Sequence, residues 1–446
     1  MKKTKIVSLA LAMTLTGLLA GCGDSKDNAP SGSASASAAA SSGQATGEAS
    51  GSPEQPTVTG KLTFLTWETN IVDTKLKDMA DRFMADYPGV ELKIEGFTDN
   101  QTIKIRAASN SLPDIVNVTD THLSRDQWSK FFVPLNDLPI AGKLIGMDSL
   151  VAPDGKNYTV PRGLMLTPVV WYNKDIFAEL GLEVPKTYSA FLETSQKIKD
   201  SGKYIPLSSG AKDAWPLDPY QQLAPIIGND TNIYNAFAEQ EEPFTADSGY
   251  VKSFGILKDL VDKGYFEKDP LSVGFDAATN DFGSGKSAMM LMGTWLYQNL
   301  SEKGVDMTRF AIFPFPVSDT PAATTMLTAS PDLPMAINKN TKSMDAALAF
   351  LDWYYSKYDS EFMTYSGMLS PLKDADNSSI PWAGFVKDYQ LNIATLAPQQ
   401  EKAIKVWNNS GITLYKSLQE LVAGRTVDQV VKDLNGKFKK AVAAAK

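Results

Sequence analysis

Three tryptophans, Trp67, Trp215 and Trp295, stand at the ends of strands or in loops rather than inside an apolar period. An indole in such a place is a flat apolar platform with one N–H donor, suited to the C–H face of a sugar ring. Charged residues stand at comparable points: Glu68 directly after Trp67, Asp120 at the end of a short strand, and Arg162 in a loop before another. Carboxylates accept from ligand hydroxyls, and a guanidinium offers fixed donors. Each has a plainer reading. Trp67 could be a rim aromatic and Trp295 a core aromatic over a helix end. Asp120 could cap a helix, and Arg162 could form a structural ion pair. The chain has one histidine, His122, and one cysteine, Cys22, so histidine–cysteine metal clusters and histidine-dependent nucleophiles have nothing to draw on. Phe282-Gly-Ser-Gly-Lys-Ser287 ends like a phosphate loop but lacks its upstream glycine. No metal or cofactor is expected.

The elements that must position these residues read as α/β. Lys61–Trp67 alternates as a strand, and Leu76, Met79, Ala80, Phe83 and Tyr87 fall on one helical face. Pro88-Gly89 stops the helix, and residues 90–94 form the next strand. This βαβ opening favours a parallel sheet. Residues 281–286 read as a loop and 287–292 as a strand buried on both faces. Gly293 ends that strand and Thr294 is the expected helix N-cap. Ligands of open α/β sheets lie beyond the carboxyl ends of the strands, where Trp67 and Trp295 stand. Tyr250, Phe254, Leu257 and Val261 give an amphipathic helix stopped by Gly264. Thr187 begins another helix with half a capping box, and Ser343 is the expected cap of the helix through Trp353. Phe313-Pro-Phe-Pro316 suits a sheet edge. His122 is expected on a helix surface. The C-terminal part is helical, with Thr426-Val-Asp-Gln429 as a capping box. At 446 residues the chain exceeds one ordinary core and implies two or more lobes.

The first 60 residues are of another kind. Lys2, Lys3 and Lys5 precede an apolar run, residues 6–20, too short for a comfortable membrane span. The run closes Leu19-Ala-Gly-Cys22, which resembles a bacterial lipoprotein cleavage site. Residues 1–21 are therefore expected to be a leader and Cys22 to carry the lipid; an ordinary signal peptide with an incidental cysteine is the alternative. Residues 23–59 are mostly Ser, Ala, Gly and Pro, with too little apolar surface to offset ordering. A linker of roughly 37 residues spans about 30–37 Å. Loss of the three leader lysines makes the remainder more acidic than the −8 of the whole chain, which disfavours nucleic acid as a partner.

Two blocks carry a resemblance. Phe282-Gly-Ser-Gly-Lys-Ser-Ala-Met-Met-Leu-Met-Gly-Thr-Trp295 resembles the Gly-Lys loop, Ala-Met strand and Gly-x-Trp turn of the bacterial solute-binding family that includes maltose-binding protein. Gly155-Lys-Asn-Tyr-Thr-Val-Pro-Arg162 and Val170-Trp-Tyr-Asn-Lys-Asp-Ile-Phe177 are similar to a second signature of that family, in the same order. The resemblance runs from about residue 61 to the C-terminus. It implies a two-lobed type II periplasmic-binding-protein fold with the ligand cleft between lobes and a helical C-terminal segment. It implies an N-lobe of residues 61–167 and 334–378, a C-lobe of 168–333 and 379–446, and crossings near 165–170 and 325–334. In the family, ligand contacts follow the first strand, as Trp67 and Glu68 do here. The segment 208–229 supplies further contacts, for which Trp215, Asp218 and Tyr220 are the candidates. Asp332 stands where relatives return to the first lobe, with Pro in place of much of their Gly. The implied function is capture of a carbohydrate, most simply an oligosaccharide, by a lipid-anchored extracellular monomer that serves ABC-importer permease subunits. Two rival classes use similar residues: a tethered sugar sensor or adhesin, and a secreted glycosidase with Glu68 and Asp120 as its carboxylates.

Overall fold

The computed structural model describes residues 58–320, 326–380 and 382–445. The leader, Cys22 and the linker up to residue 57 lie outside the described residues. Among those described, no helix is long and apolar enough to cross a membrane.

Two four-stranded sheets form the framework. In the first, β1 (Gly60–Thr66) pairs in parallel with β2 (Val90–Gly96) and β3 (Ile115–Asn117), as the βαβ pattern requires. The helix Lys75–Asp86 between β1 and β2 buries Leu76, Met79, Ala80 and Phe83, the face read from their spacing. Phe83 meets Phe350 at 5.2 Å and Trp353 at 5.4 Å, so the late helix Met344–Trp353 returns to this sheet. Ser343 does not bond that helix's first turn. Its hydroxyl donates to the Lys61 carbonyl at 2.9 Å and so ties the helix start to β1.

Next come β4 (Gly163–Thr167), β5 (Val169–Asn173), β6 (Ile205–Ser208), β7 (Ser287–Met292) and β8 (Phe310–Pro314). The second sheet has the order β6-β7-β5-β8. All six residues of β7 are buried, as expected of a strand covered on both faces. The sheet is nevertheless mixed: β7 is parallel to β6 but antiparallel to β5. Burial depends on the covering layers, and the apolar run carries no record of strand direction. The Phe-Pro run does end the edge strand β8, where a missing N–H is tolerated.

The sheets are joined by β4 and by β9 (Met326–Asp332), paired antiparallel from Gly163↔Asp332 to Thr167↔Thr328. Only Pro168 separates β4 from β5, and only Leu333-Pro334 separates β9 from β10 (Met335–Ile337), the antiparallel edge of the first sheet. β11 (Asn392–Ala394) completes this small sheet beside β9.

The C-terminal helices Glu401–Ser410, Leu414–Val422 and Val427–Ala445 pack beside Gly249–Asp262 through a ring cluster, with Phe438 at 4.9 Å from Trp407 and 5.8 Å from Phe244. The capping box forms reciprocally: Gln429 N–H donates to Thr426 Oγ1 at 3.2 Å, and Thr426 N–H donates to Gln429 Oε1 at 3.0 Å. Thr187 likewise accepts from Ala190 N–H at 3.2 Å.

Candidate functional site

The carboxyl end of β1 and the turn after β7 face one another across β9. Trp67, Glu68 and Asn70 come from the first, Trp295, Gln298 and Asn299 from the second, and Asp332 and Leu333 from the end of β9. Together with Met368 they line a cavity of about 200 Å³. A larger cavity, about 440 Å³, is lined by Asp218, Gln221, Gln222, Tyr234, Thr328 and Ser330, and by Thr121 from the first-sheet side. Thr328, Ser330 and Asp332 are alternate residues of one strand and so share a face. They span about 13 Å, which links the two cavities along one ledge.

Local sequence explains how the aromatics are held. Trp67 lies against His122, ring centroids 5.1 Å apart at 31°, with Phe97 edge-on at 6.4 Å. His122 is thus not a surface residue. It is buried, and Thr119 N–H donates to its Nδ1 at 3.1 Å, which places any ring proton on Nε2. Burial, helped by Lys104, depresses its pKa to about 4, so Trp67 rests on a neutral ring at physiological pH. On the other wall Trp295 stands 5.9 Å from Trp215 and 5.7 Å from Phe275, and Trp215 is 4.6 Å from Phe275. A Cβ at Gly293 would lie 2.6 Å from Trp295 Nε1 and 2.9 Å from Met165 Sδ, so glycine is what admits the indole. Ala214 at φ +61 turns the chain just before Trp215, a conformation that costs an alanine energy and fixes where the exposed indole emerges.

Two features of this turn differ from the sequence reading. Residues 281–284 belong to a helix, Phe275–Ser284, closed by Gly285 at φ +83. Thr294 is buried and does not cap. Its Oγ1 accepts from Leu166 N–H at 3.2 Å and pins the turn to β4.

Asp218 accepts hydrogen bonds from the side-chain amides of Gln221 and Gln222, and Gln222 in turn accepts from the Thr167 hydroxyl at 2.5 Å. Burial raises Asp218 to about 6 against these donors. Asp332 is also raised to about 6, by burial first and by the neighbouring Glu68 charge, with Leu333 N–H at 2.7 Å and Arg162 acting in the other direction.

Three expected site residues stand elsewhere. Arg162 is fully buried, ion-paired with Glu68, with its guanidinium 4.5 Å from the Phe362 ring centre. It lies behind the cavity wall and offers no donor to the cleft. Tyr220 is 2 % exposed and edge-on to Phe266 at 6.2 Å, because the helical turn Asp218–Gln221 directs it into the core. Asp120 neither caps a helix nor lines these cavities. Arg125 holds both its oxygens, at 3.1 and 2.7 Å. The glutamines, Gln298, Asn299 and Ser330 were missed by sequence reasoning. So was the C-terminal wall of the larger cavity, Asn408, Thr413 and Tyr415. The polar break Asn408-Asn-Ser-Gly-Ile-Thr413 between two apolar-faced helices was the available signal.

The walls are also bridged. Glu302, at the end of the helix Leu296–Glu302, accepts from the Tyr365 hydroxyl at 2.6 Å, from Gln298 at 2.8 Å and from the side-chain amide of Asn70. Nearby, Gly367 at φ +66 lets the Tyr297 ring approach; a Cβ there would sit 2.6 Å from that of Tyr297.

The model of the family described as bacterial extracellular solute-binding protein matches residues 67–358. A multiple sugar-binding protein of Streptococcus mutans is 25% identical over 328 residues, 71% of this chain and 74% of that protein. An uncharacterized ABC transporter extracellular-binding protein of Pyrococcus horikoshii is 23% identical over 412 residues, 87% of this chain and 90% of that protein. Among solved structures, a manno-oligosaccharide-specific solute-binding protein of Bifidobacterium animalis subsp. lactis, in complex with mannotriose, superposes with a TM-score of 0.76. It is 22% identical over 87% of this chain and 95% of its own. The shared architecture is the two-lobed type II α/β fold with a helical C-terminal segment.

Proposed function

Since this chain belongs to the bacterial extracellular solute-binding protein family, we propose that it captures an oligosaccharide between its lobes and delivers it to an ABC importer. The lobes in this reading are residues 61–167 with 334–378, and 168–333 with 379–446. The observation that carries it is the pairing of two aromatic walls, Trp67 on one side and Trp295 with Trp215 on the other, over a ledge of alternating polar residues. Stacking surfaces spaced along a polar ledge suit several linked sugar rings better than one. Stacking contributes about 0.5–1.5 kcal/mol per contact beyond area burial. Glu68, Asp218 and Asp332, with Gln221 and Gln222, are the hydroxyl-binding groups.

Cys22 carries the lipid in this reading, and the Ser/Ala/Gly/Pro segment tethers a monomeric binding unit to the outer face of the membrane. In this reading the protein binds and releases its cargo without chemistry, in keeping with a family of solute-binding proteins.

A thermal-shift screen against mono- and oligosaccharides tests this. Ligand at 100 times its Kd adds about 2.7 kcal/mol of stability, a rise of a few degrees. The expected result is a rise with oligosaccharides that is lost in Trp295→Ala, with no reducing ends released. No rise across the panel would refute the carbohydrate reading.

A further inference from the structure

The smaller cavity has an unbalanced set of charges. Glu68 and Asp332 both line it, and no lysine, arginine or histidine does among the described residues. The nearest cation is Arg162, which pairs through Nη2 with Glu68 Oε2, lies fully buried and is covered by Phe362; its Nε and Nη1 have no partner but are sealed behind the cavity wall. Glu68 is 7 % exposed, yet its Oε1 is a buried oxygen without a hydrogen-bond partner. Asp332 accepts one backbone N–H through Oδ1, and no donor among the described residues is bonded to its second oxygen. Asn299 adds a second buried, unpartnered oxygen, Oδ1, beside the partly exposed Asp332 carboxylate.

Buried carboxylate oxygens without donors are costly to keep unless something supplies the donors. Hydroxyls could do so singly, but each is an acceptor as well as a donor. A protonated amine has three donors and no acceptor, matching three free acceptors. It also supplies the positive charge that one arginine between two carboxylates leaves missing. Trp67 and Trp295 flank the same cavity, and indole faces attract cations. At about 200 Å³ this end of the ledge is small, so it suits one ring or its amino group rather than several sugars.

We propose that the Glu68–Asp332 cavity binds a protonated amine, so that the preferred cargo is a glycan carrying an unacetylated amino sugar at the residue seated there. This rests on the carbohydrate reading above and narrows it. The amino group donates to Glu68 Oε1 and Asp332, the ring stacks on Trp295, and the rest of the glycan runs along Ser330 and Thr328 into the larger cavity.

Calorimetry on the purified protein at pH 7, with β-1,4-linked glucosamine dimers and trimers, their N-acetylated forms and the matching neutral glucose oligomers, provides the test. The amino sugars are expected to bind at least about tenfold tighter than the neutral oligomers. Asp332→Asn should cost the amino sugars at least about tenfold more affinity than it costs the neutral oligomers, and its thermal unfolding transition reports that the variant is folded. Asp332→Ser serves if the asparagine variant does not fold. Equal binding of charged and neutral oligomers would overturn this inference and leave the carbohydrate reading standing. An amine preference that survives loss of the Asp332 charge would overturn the assignment to this cavity. Absence of binding by every saccharide would overturn both.

Discussion

Replacing Arg162 by methionine separates a structural role from a ligand-binding one. The guanidinium is fully buried, pairs with Glu68 and lies 4.5 Å from the Phe362 ring centre. Methionine keeps much of the side chain's length but removes the charge, and so leaves Glu68 buried beside Asp332 with no cation. Breaking a buried pair from one side costs about 3–5 kcal/mol. Unfolding entropy near 2.1 cal/mol/K per residue over the roughly 390 residues of the folded unit gives about 0.8 kcal/mol/K. Tm should therefore fall by about 4–6 °C. Adding Glu68→Gln should restore part of the loss, since the stranded charge is then gone, and the double-mutant cycle reads the coupling directly. Differential scanning calorimetry gives the stability change. Calorimetric titration well below Tm gives affinity for a neutral oligosaccharide, expected to stay within about threefold. An unchanged Tm with abolished binding would instead make Arg162 a ligand contact with no structural role.

Trp295→Ala should weaken oligosaccharide binding about tenfold or more, with a smaller loss of stability, because the indole is only partly buried against Trp215 and Phe275; an affinity within twofold of native would count against it as a platform. Glu302→Ala removes the acceptor shared by Asn70, Tyr365 and Gln298. Loss of about 1 kcal/mol across the cleft should weaken binding about fivefold through faster release and raise the radius of gyration in solution scattering; unchanged release rates would show that this bridge holds nothing closed. Asp218, Asp332 and Asp359 are each raised to about 6 by burial. Between pH 4 and 6 the native state holds protons that the unfolded state has released, so their contribution to stability is lost as pH rises through about 6. Tm should be higher at pH 5 than at pH 7.5 by a few degrees, and Asp218→Asn should flatten that slope. A slope unaltered by the substitution would contradict the assignment to Asp218.

Much of the fold was legible because its signals are local. The 3.6-residue spacing of Leu76, Met79, Ala80 and Phe83, the apolar run of β7 and the Thr426–Gln429 box depend on neighbours in sequence, and each formed as expected. The placement of Trp67, Glu68, Trp295 and Asp332 around one cavity agrees with their positions at element ends. Roles set by a distant partner leave no such local signal. His122 reads as a surface residue until Trp67 and Phe97 close over it. Ser343 reads as a helix cap, and its hydroxyl instead goes to Lys61, far away in the chain.

The order of residues alone establishes that the chain is α/β, that aromatics and acids stand at strand ends, and that the composition before residue 60 differs from the rest. These follow from periodicity, turn chemistry and composition. It took the packing of distant segments to settle which charged residues face the cleft and which, like Arg162, are buried behind it. Arg162 and Glu68 are 94 residues apart in sequence, yet they are sealed into one ion pair. Burial and pairing depend on which surfaces meet, and that is fixed by the packing of the two sheets through β4 and β9 rather than by any local stretch.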